Sequence, residues 1–288
     1  MTVQNTRREF RAMLQPGAAV ILPGVANALA ARVVADCGFP AAYVTGAGIA
    51  NTFLGIPDNG LVTLTELARH VTAIREVFPG PLMVDADTGF GNPLNMRRTI
   101  QVLERAGADA IQIEDQVFPK RCGHFEGKEV APAAEMVAKI KAAVDARSDH
   151  DLLIVARTDA IAVEGFEPAM ERAHAFREAG ADVGFIEAPI SADQIAAIAG
   201  LPWPQLINIV VGGKTPELPN EKLKELGFAA VLYANTALQA AVLGMQRALG
   251  HLKDHGRIGN GAELLATFAE RQRLVDIAAF QAMERKYK

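Results

Sequence analysis

A helical segment closing on a glycine, with a short apolar run a few residues later, recurs four times in this 288-residue chain. It reads VVADCGFPAAYVTG around Gly38, LERAGADAIQIED around Gly107, FREAGADVGFIEAP around Gly180 and LKELGFAAVLYAN around Gly227. Glycine after the last helical turn supplies a left-handed cap, and a strand follows through a short loop. Repetition of that unit predicts β/α construction. Four further apolar runs fit between the copies: AVILPG near 19–24, PLMVDAD at 81–87, DLLIVART at 151–158 and QLINIVV at 205–211. Almost unbroken apolar runs mark strands buried on both faces, as in parallel sheets. Strands near residues 21, 43, 84, 111, 154, 185, 207 and 231, with helices between them, predict an α/β fold of the (β/α)8 TIM-barrel type. A doubly wound open sheet is the alternative. Thr63 and Glu66 in TLTELARHV form a capping box before one of the helices.

No linker or low-complexity stretch divides the chain, so residues 1–288 read as one barrel domain with 240–288 as a C-terminal helical extension. ALQAAVLGMQRALGHLKDHG and AELLATFAERQRLVDIAAFQAMERKYK read as two extra helices. The second, over about 261–285, carries Leu264, Phe268, Leu274, Ile277 and Phe280 on one face, which must pack on its own barrel or on a neighbouring subunit. Lys plus Arg is 29 against 33 Asp plus Glu, a net charge of −4, which leaves no electrostatic footprint for nucleic acid or an anionic membrane. No apolar run approaches the roughly 20 residues of a membrane-spanning helix, and MTVQNTRREFRAML lacks the apolar core of a secretion signal. The two cysteines, Cys37 and Cys122, are too few for a disulfide framework, and a cytoplasmic location is expected. Cys37, in VVADCGF, is expected to be a buried helix residue.

In such barrels the chemistry gathers at the C-terminal ends of the strands, where a polar side chain interrupts an apolar run. Here the interruptions are Tyr43-Val44-Thr45-Gly46, Asp85-Ala86-Asp87, Glu114-Asp115, Arg157-Thr158-Asp159, Glu187 and Asn208. Asp85 and Asp87, two apart, are expected on one face. With Glu114 from the next strand they repel one another unless protonated or bridged by a cation. Oxygen-only donors select a hard ion, Mg²⁺ first and Mn²⁺ as a substitute; the competing reading makes these acids loop caps. From Gln116 to about Pro132 the chain has no periodicity, the mark of a binding loop. Within it Lys120, Arg121 and His124 flank the Cys122 thiol, and neighbouring positive charge lowers a thiol's pKa, so Cys122 is a candidate proton donor or nucleophile. Gly89-Phe90-Gly91, Gly46-Ala47-Gly48 and Gly213-Lys214-Thr215 complete no phosphate-binding motif.

VTGAGIANTFLGIPDNG, VDADTGFGN, QIEDQVFPKRCGHFEGK, IVARTDA, FIEAP and NIVVGGKTP together resemble the isocitrate lyase and phosphoenolpyruvate mutase superfamily, from about Pro23 to Tyr233. The K-R-C-G-H loop resembles its carbon–carbon lyase branch. The resemblance implies a (β/α)8 barrel and Mg²⁺ bound mainly through Asp85, partly by way of water with Asp58, Asp87 and Glu114. It implies a 2-hydroxy acid seated with its carboxylate on the Thr45-Gly46-Ala47 backbone. Tyr43 matches the proposed base, with Arg157 beside it, and Cys122 the acid that protonates carbon, in one motif with Lys120 and His124. Gly123, Glu187 and Asn208 are further candidate substrate contacts. Family members are commonly homotetramers that exchange C-terminal helices, which would give the 261–285 helix its partner.

The chain departs from the methylisocitrate lyase pattern at Phe125, Val210 and Val211, where an arginine, a hydroxyl and an acid are lost. Tyr233-Ala234-Asn235-Thr236 lacks the proline of many lyases and resembles the phosphonopyruvate mutases. The expected activity is Mg²⁺-dependent retro-aldol-type cleavage of a branched 2-hydroxy dicarboxylate, of 2,3-dimethylmalate or 2-methylisocitrate type, to pyruvate and a saturated carboxylate. The alternative is an oxaloacetate hydrolase or decarboxylase, or a phosphonopyruvate-type P–C enzyme, on the same site.

Overall fold

Each glycine that the sequence marks as a helix stop takes a left-handed backbone in the computed structural model, with φ of 81° at Gly38, 104° at Gly107, 105° at Gly180 and 113° at Gly227. A side chain is strained in that region, so glycine is what lets the helix end sharply and a strand begin. The structure describes residues 3–120, 127–259 and 262–288. Its strands are β1 (Val20–Val25), β2 (Ala42–Val44), β3 (Leu82–Asp85), β4 (Ala110–Glu114), β5 (Leu153–Thr158), β6 (Val183–Ile186), β7 (Gln205–Asn208) and β8 (Ala230–Tyr233). All pair in parallel and in sequence order, and β8 returns to β1 with Val20 opposite Ala230 and Pro23 opposite Tyr233. That closure selects the barrel over the open sheet. Gly24 sits where the seam is tightest: a Cβ there would lie 1.8 Å from the Ala234 carbonyl oxygen.

Between the strands run α2 (Ala28–Asp36), α4 (Leu64–Arg75), α5 (Pro93–Ala106), α6 (Ala133–Ala146), α7 (Phe166–Glu178), α8 (Ala192–Ala199) and α9 (Asn220–Leu226), with a single-turn α3 (Gly46–Ile49) after β2. The Thr63–Glu66 capping box opens α4 in both directions. Strand residues alternate between two cores. Val84, Ile111, Ile113, Ile154 and Ala156 face the helices. Tyr43, Met83, Ala110, Leu153, Val155, Val183, Phe185, Leu206, Ala230 and Leu232 fill the barrel. The inward series continues, two residues at a time, into Asp85, Gln112, Glu114, Arg157, Glu187 and Asn208, so the polar residues at the strand ends share the parity of the barrel interior.

The opposite end of the barrel is stoppered by α1 (Val3–Met13), which inserts fully buried Phe10. Arg7 ties α1 down by ion pairs to Glu104 (3.3 Å) and Asp149 (3.0 Å), and Thr6 donates to Asp109 at 2.6 Å. Past β8, α10 (Thr236–His255) matches the first expected extra helix. The second is broken: a 3-10 turn at Ala262–Leu264 is followed by α11 (Phe268–Leu274) and α12 (Ile277–Tyr287). Two caps divide it. The Thr267 side chain accepts from the Glu270 amide, and Asp276 turns left-handed (φ 59°) and accepts from Ala279. α11 rests on α2 through Arg273–Asp36 (2.7 Å), whereas Phe268 and Phe280 remain 71% and 56% exposed. Cys37 is also corrected: it caps the C-terminus of α2 and is exposed. Among the described residues no helix is long and apolar enough to cross a membrane.

Candidate active site

At the C-terminal mouth of the barrel one cleft is lined by Tyr43, Thr45, Ala47, Asp58, Asp85, Lys120, Arg157, Glu187 and Asn208, with Val210, Leu232, Ala234 and Asn235 completing its wall. Nine residues singled out from the sequence thus meet in one place. A roomier groove of about 620 Å³ lies between α4 and α5 on the outer wall, remote from the strand ends. The mouth is the better candidate, because ionisable groups converge there under burial. Cys122, Gly123 and His124 lie outside the described residues. Val210 lines the cleft, whereas Val211, the other position beyond β7 where a polar group is lost, is 64% exposed.

The strand-parity argument holds for Asp85 and fails for Asp87. β3 ends at Asp85, and Asp87 lies beyond it with a left-handed φ of 47°. Both carboxylates nevertheless flank Gly46: a Cβ at that position would stand 3.2 Å from Asp85 Oδ2 and 3.4 Å from Asp87 Oδ1. Asp85 accepts from the amides of Gly46 (3.4 Å) and Asp87 (3.2 Å) and from Gln112 Nε2 (3.1 Å). The Lys120 ammonium binds Asp58 at 2.6 and 2.7 Å and stands 2.8 Å from Asp87 Oδ1, an ion pair without hydrogen-bond alignment. Arg157 reaches Glu114 Oε2 at 3.3 Å.

Burial pushes the Asp87 carboxyl up to about 6, with Lys120 opposing and Asp85 and Asp58 reinforcing. It pushes Glu114 well above the carboxylate range despite Arg157. Lys120 is held well above its ordinary value, since its acid neighbours Asp87, Glu114, Asp85 and Asp58 outweigh burial. Six carboxylates, Asp58, Asp85, Asp87, Glu114, Asp159 and Glu187, here face three described cations, Lys120, Lys128 and Arg157. Such an excess is costly without water and favours an added cation.

Gln112, which the sequence reading passed over, is the link inside the site. Fully buried on β4, it accepts from the Tyr43 hydroxyl at 2.6 Å while donating to Asp85. A lone amide in the apolar run AIQIE, two residues before Glu114, was the available signal. Burial and the Asp85 charge push the Tyr43 phenol well up, and Arg157 opposes them. Asn208 donates to Glu187 Oε1 at 3.3 Å and leaves its own Oδ1 buried without a partner, as does Asn235. Thr45 is engaged as the cap of α3, its hydroxyl accepting from the Gly48 amide at 3.2 Å.

The donor set fits a hard divalent ion. It is made of oxygens, and Glu114 Oε1 is buried with no hydrogen-bond partner. It is not a ready cage: among the described residues no three acid, histidine or cysteine side chains are grouped to hold an ion directly, and Lys120 pairs with the Asp58 and Asp87 carboxylates. Magnesium suits that arrangement, since it keeps several waters and takes only one or two carboxylates directly.

Comparison with known proteins agrees with this geometry. The sequence profile of the phosphoenolpyruvate phosphomutase family matches residues 10–253. The chain is 40% identical over 284 residues to the 2,3-dimethylmalate lyase of Eubacterium barkeri, covering 98% of each. It superposes on a crystal structure of 2,3-dimethylmalate lyase with a TM-score of 0.92 and 36% identity, over 100% of this chain and 96% of that one. An oxaloacetate acetylhydrolase bound to 3,3-difluorooxalacetate gives a TM-score of 0.89 at 34% identity, covering 99% and 97%. With the acid-lined mouth on a closed barrel and these matches along nearly its whole length, the chain belongs to the phosphoenolpyruvate phosphomutase family, on the lyase branch of the superfamily that includes isocitrate lyase.

Proposed function

We propose that this protein is a magnesium-dependent carbon–carbon lyase that cleaves a branched 2-hydroxy acid, a dicarboxylate of 2,3-dimethylmalate type or the tricarboxylate 2-methylisocitrate, into pyruvate and a saturated carboxylate. The observation that carries the reading is the mouth itself, where Asp58, Asp87 just beyond β3 and buried Glu114 on β4 face Lys120 and Arg157. The likeness to a 2,3-dimethylmalate lyase supports it. In the cleavage the substrate hydroxyl gives up its proton and its oxygen becomes the carbonyl of pyruvate. The C2–C3 bond breaks with its electron pair left on C3 as an enediolate, and a proton added to C3 completes the saturated acid.

Asp85, with Asp58, Asp87 and Glu114, would hold the metal, which when bound supplies positive charge to the substrate's carboxylate and hydroxyl oxygens; Mn²⁺ fits the same donors. The Thr45-Gly46-Ala47 backbone, Gly123, Glu187 and Asn208 seat the substrate. Tyr43 takes the hydroxyl proton as phenolate, a form Arg157 favours and burial opposes. Arg157 and Lys120 stabilise the negative charge that develops. Cys122, beside His124, delivers the proton to C3, and a reducing cytoplasm keeps that thiol available. The exposed apolar faces of α10 and α12, which include Leu249 and Phe280, pack in this reading against other copies in a helix-exchanged homotetramer.

The second reading keeps the site and changes the reaction to oxaloacetate hydrolysis or P–C chemistry. Asn235 favours it, since its unpartnered amide oxygen lines the cleft in a stretch, Tyr233-Ala234-Asn235-Thr236, that lacks the proline of many lyases. Proton NMR of products from 2,3-dimethylmalate, 2-methylisocitrate, oxaloacetate and phosphonopyruvate, with magnesium and with EDTA, separates the two. The lyase reading expects EDTA-sensitive pyruvate from a branched hydroxy acid and its loss in Cys122→Ser. Full turnover by folded Cys122→Ser would remove Cys122 from the mechanism.

A further inference from the structure

Arg157 is gripped from behind by groups that do not line the cleft. Asp159 accepts from Arg157 Nε at 2.9 Å and Nη2 at 3.0 Å, a bidentate contact that fixes the guanidinium plane. The Phe185 ring lies under that plane, 5.2 Å from the guanidinium carbon. The Asp159 amide is itself anchored, donating to Asp115 Oδ1 at 3.0 Å, while Asp115 Oδ2 takes Thr158 Oγ1 at 2.7 Å and Arg172 at 3.2 Å. Asp159 Oδ1 also takes the Lys128 ammonium at 2.8 Å, and both side chains are almost completely buried. Lys128 sits on the return leg of the segment after β4, which is tied to the outgoing leg by the Val117 amide donating to the Glu129 carbonyl at 2.9 Å.

Charge gives Lys128 a purpose that packing does not. One carboxylate in bidentate contact with a guanidinium makes a neutral pair, which offers little to an anion in the cleft. A second cation on the same carboxylate, Lys128, offsets part of the negative charge that Asp159 sets against Arg157. In a buried site that difference is weakly screened. We propose that Asp159 and Lys128 are positioning residues for Arg157: Asp159 orients the guanidinium, and Lys128 offsets the negative charge of Asp159, so that Arg157 keeps more of its positive charge for the carboxylate substrate. The proposal rests on the reading of the mouth as a carboxylic-acid site.

The test is oxalate binding by titration calorimetry in magnesium buffer, for the full-length wild type, Lys128→Met, Lys128→Arg and the double variant Lys128→Met/Asp159→Asn, each checked for fold by circular dichroism. Lys128→Met should weaken oxalate about tenfold or more, the scale of losing a group one shell behind a ligand. Lys128→Arg should bind within about threefold of wild type, because it restores the charge. The double variant, in which Asp159 no longer sets a negative charge against Arg157, should bind oxalate more tightly than Lys128→Met alone. A purely structural role predicts the reverse, since two buried partners are then missing. Turnover should follow the same order in kcat/KM. Should Lys128→Met fail to fold, Lys128→Gln makes the same charge change. Equal binding by all four proteins, or a double variant no better than the single, overturns the proposal and leaves the site reading intact. A wild type that binds no oxalate overturns the site reading itself.

Discussion

Gln112 is buried, and both ends of its amide are used within the barrel: Oε1 accepts from Tyr43 at 2.6 Å and Nε2 donates to Asp85 at 3.1 Å. Replacing it by leucine strands the Tyr43 hydroxyl and removes a donor from Asp85. An unsatisfied buried donor costs about 1–3 kcal/mol and a charged group more, so Gln112→Leu should lower stability by about 2–4 kcal/mol. Tyr43→Phe removes the other half of the pair and strands Gln112 Oε1, at about 1–3 kcal/mol. The double variant loses the phenol–amide contact only once, so its cost should fall short of the summed single costs by about 1–2 kcal/mol. Urea unfolding of the four proteins in EDTA, with equal m-values, measures the cycle directly. Additivity within about 0.5 kcal/mol would mean that the two side chains do not share a bond, and Gln112 would lose its place in the site.

Phe10→Ala should leave a cavity in the stopper at the closed end of the barrel and cost about 3–5 kcal/mol, while kcat at the opposite end is spared; thermal unfolding and turnover check the two halves. Arg7→Met abandons buried Glu104 and partly buried Asp149 and should cost about 3–5 kcal/mol, against no more than about 1 kcal/mol for Lys222→Met, whose pair with Glu225 is exposed. Lys120→Met frees the Asp58 and Asp87 oxygens, so calorimetry should find magnesium bound more tightly than by wild type even though turnover falls. Weaker magnesium binding would separate Lys120 from the metal carboxylates.

The barrel was legible because its determinants are local. A glycine with positive φ ends a helix whatever surrounds it, and a strand buried on both faces is apolar whatever its neighbours, so Gly38, Gly107, Gly180 and Gly227 with the runs after them mark four of the eight units, and the apolar runs between them mark the other four. Site residues at strand ends were legible for a related reason, since Asp85, Glu114, Arg157, Glu187 and Asn208 break apolar runs on the inward parity. What was hidden depends on partners distant in sequence. Gln112 matters because Tyr43 and Asp85 come to it from two other strands. Lys128 matters because Asp159, 31 residues on, lies beside it. The break between α11 and α12 was missed because periodicity sees the apolar stripe through Phe268 and Phe280 but not the cap geometry of Thr267 and Asp276. Cys37 was misplaced for the converse reason: its neighbours are apolar, but it caps the C-terminus of α2 and is exposed.

The most direct test of the lyase account is turnover of 2,3-dimethylmalate in D₂O with magnesium, followed by NMR. Cleavage between C2 and C3 with solvent protonation of the carbon left behind predicts pyruvate and propanoate in equal amounts, the propanoate carrying one deuteron at C2. Loss of water to an unsaturated dicarboxylate, or no reaction with this acid or 2-methylisocitrate while oxaloacetate is converted to oxalate and acetate, would contradict it.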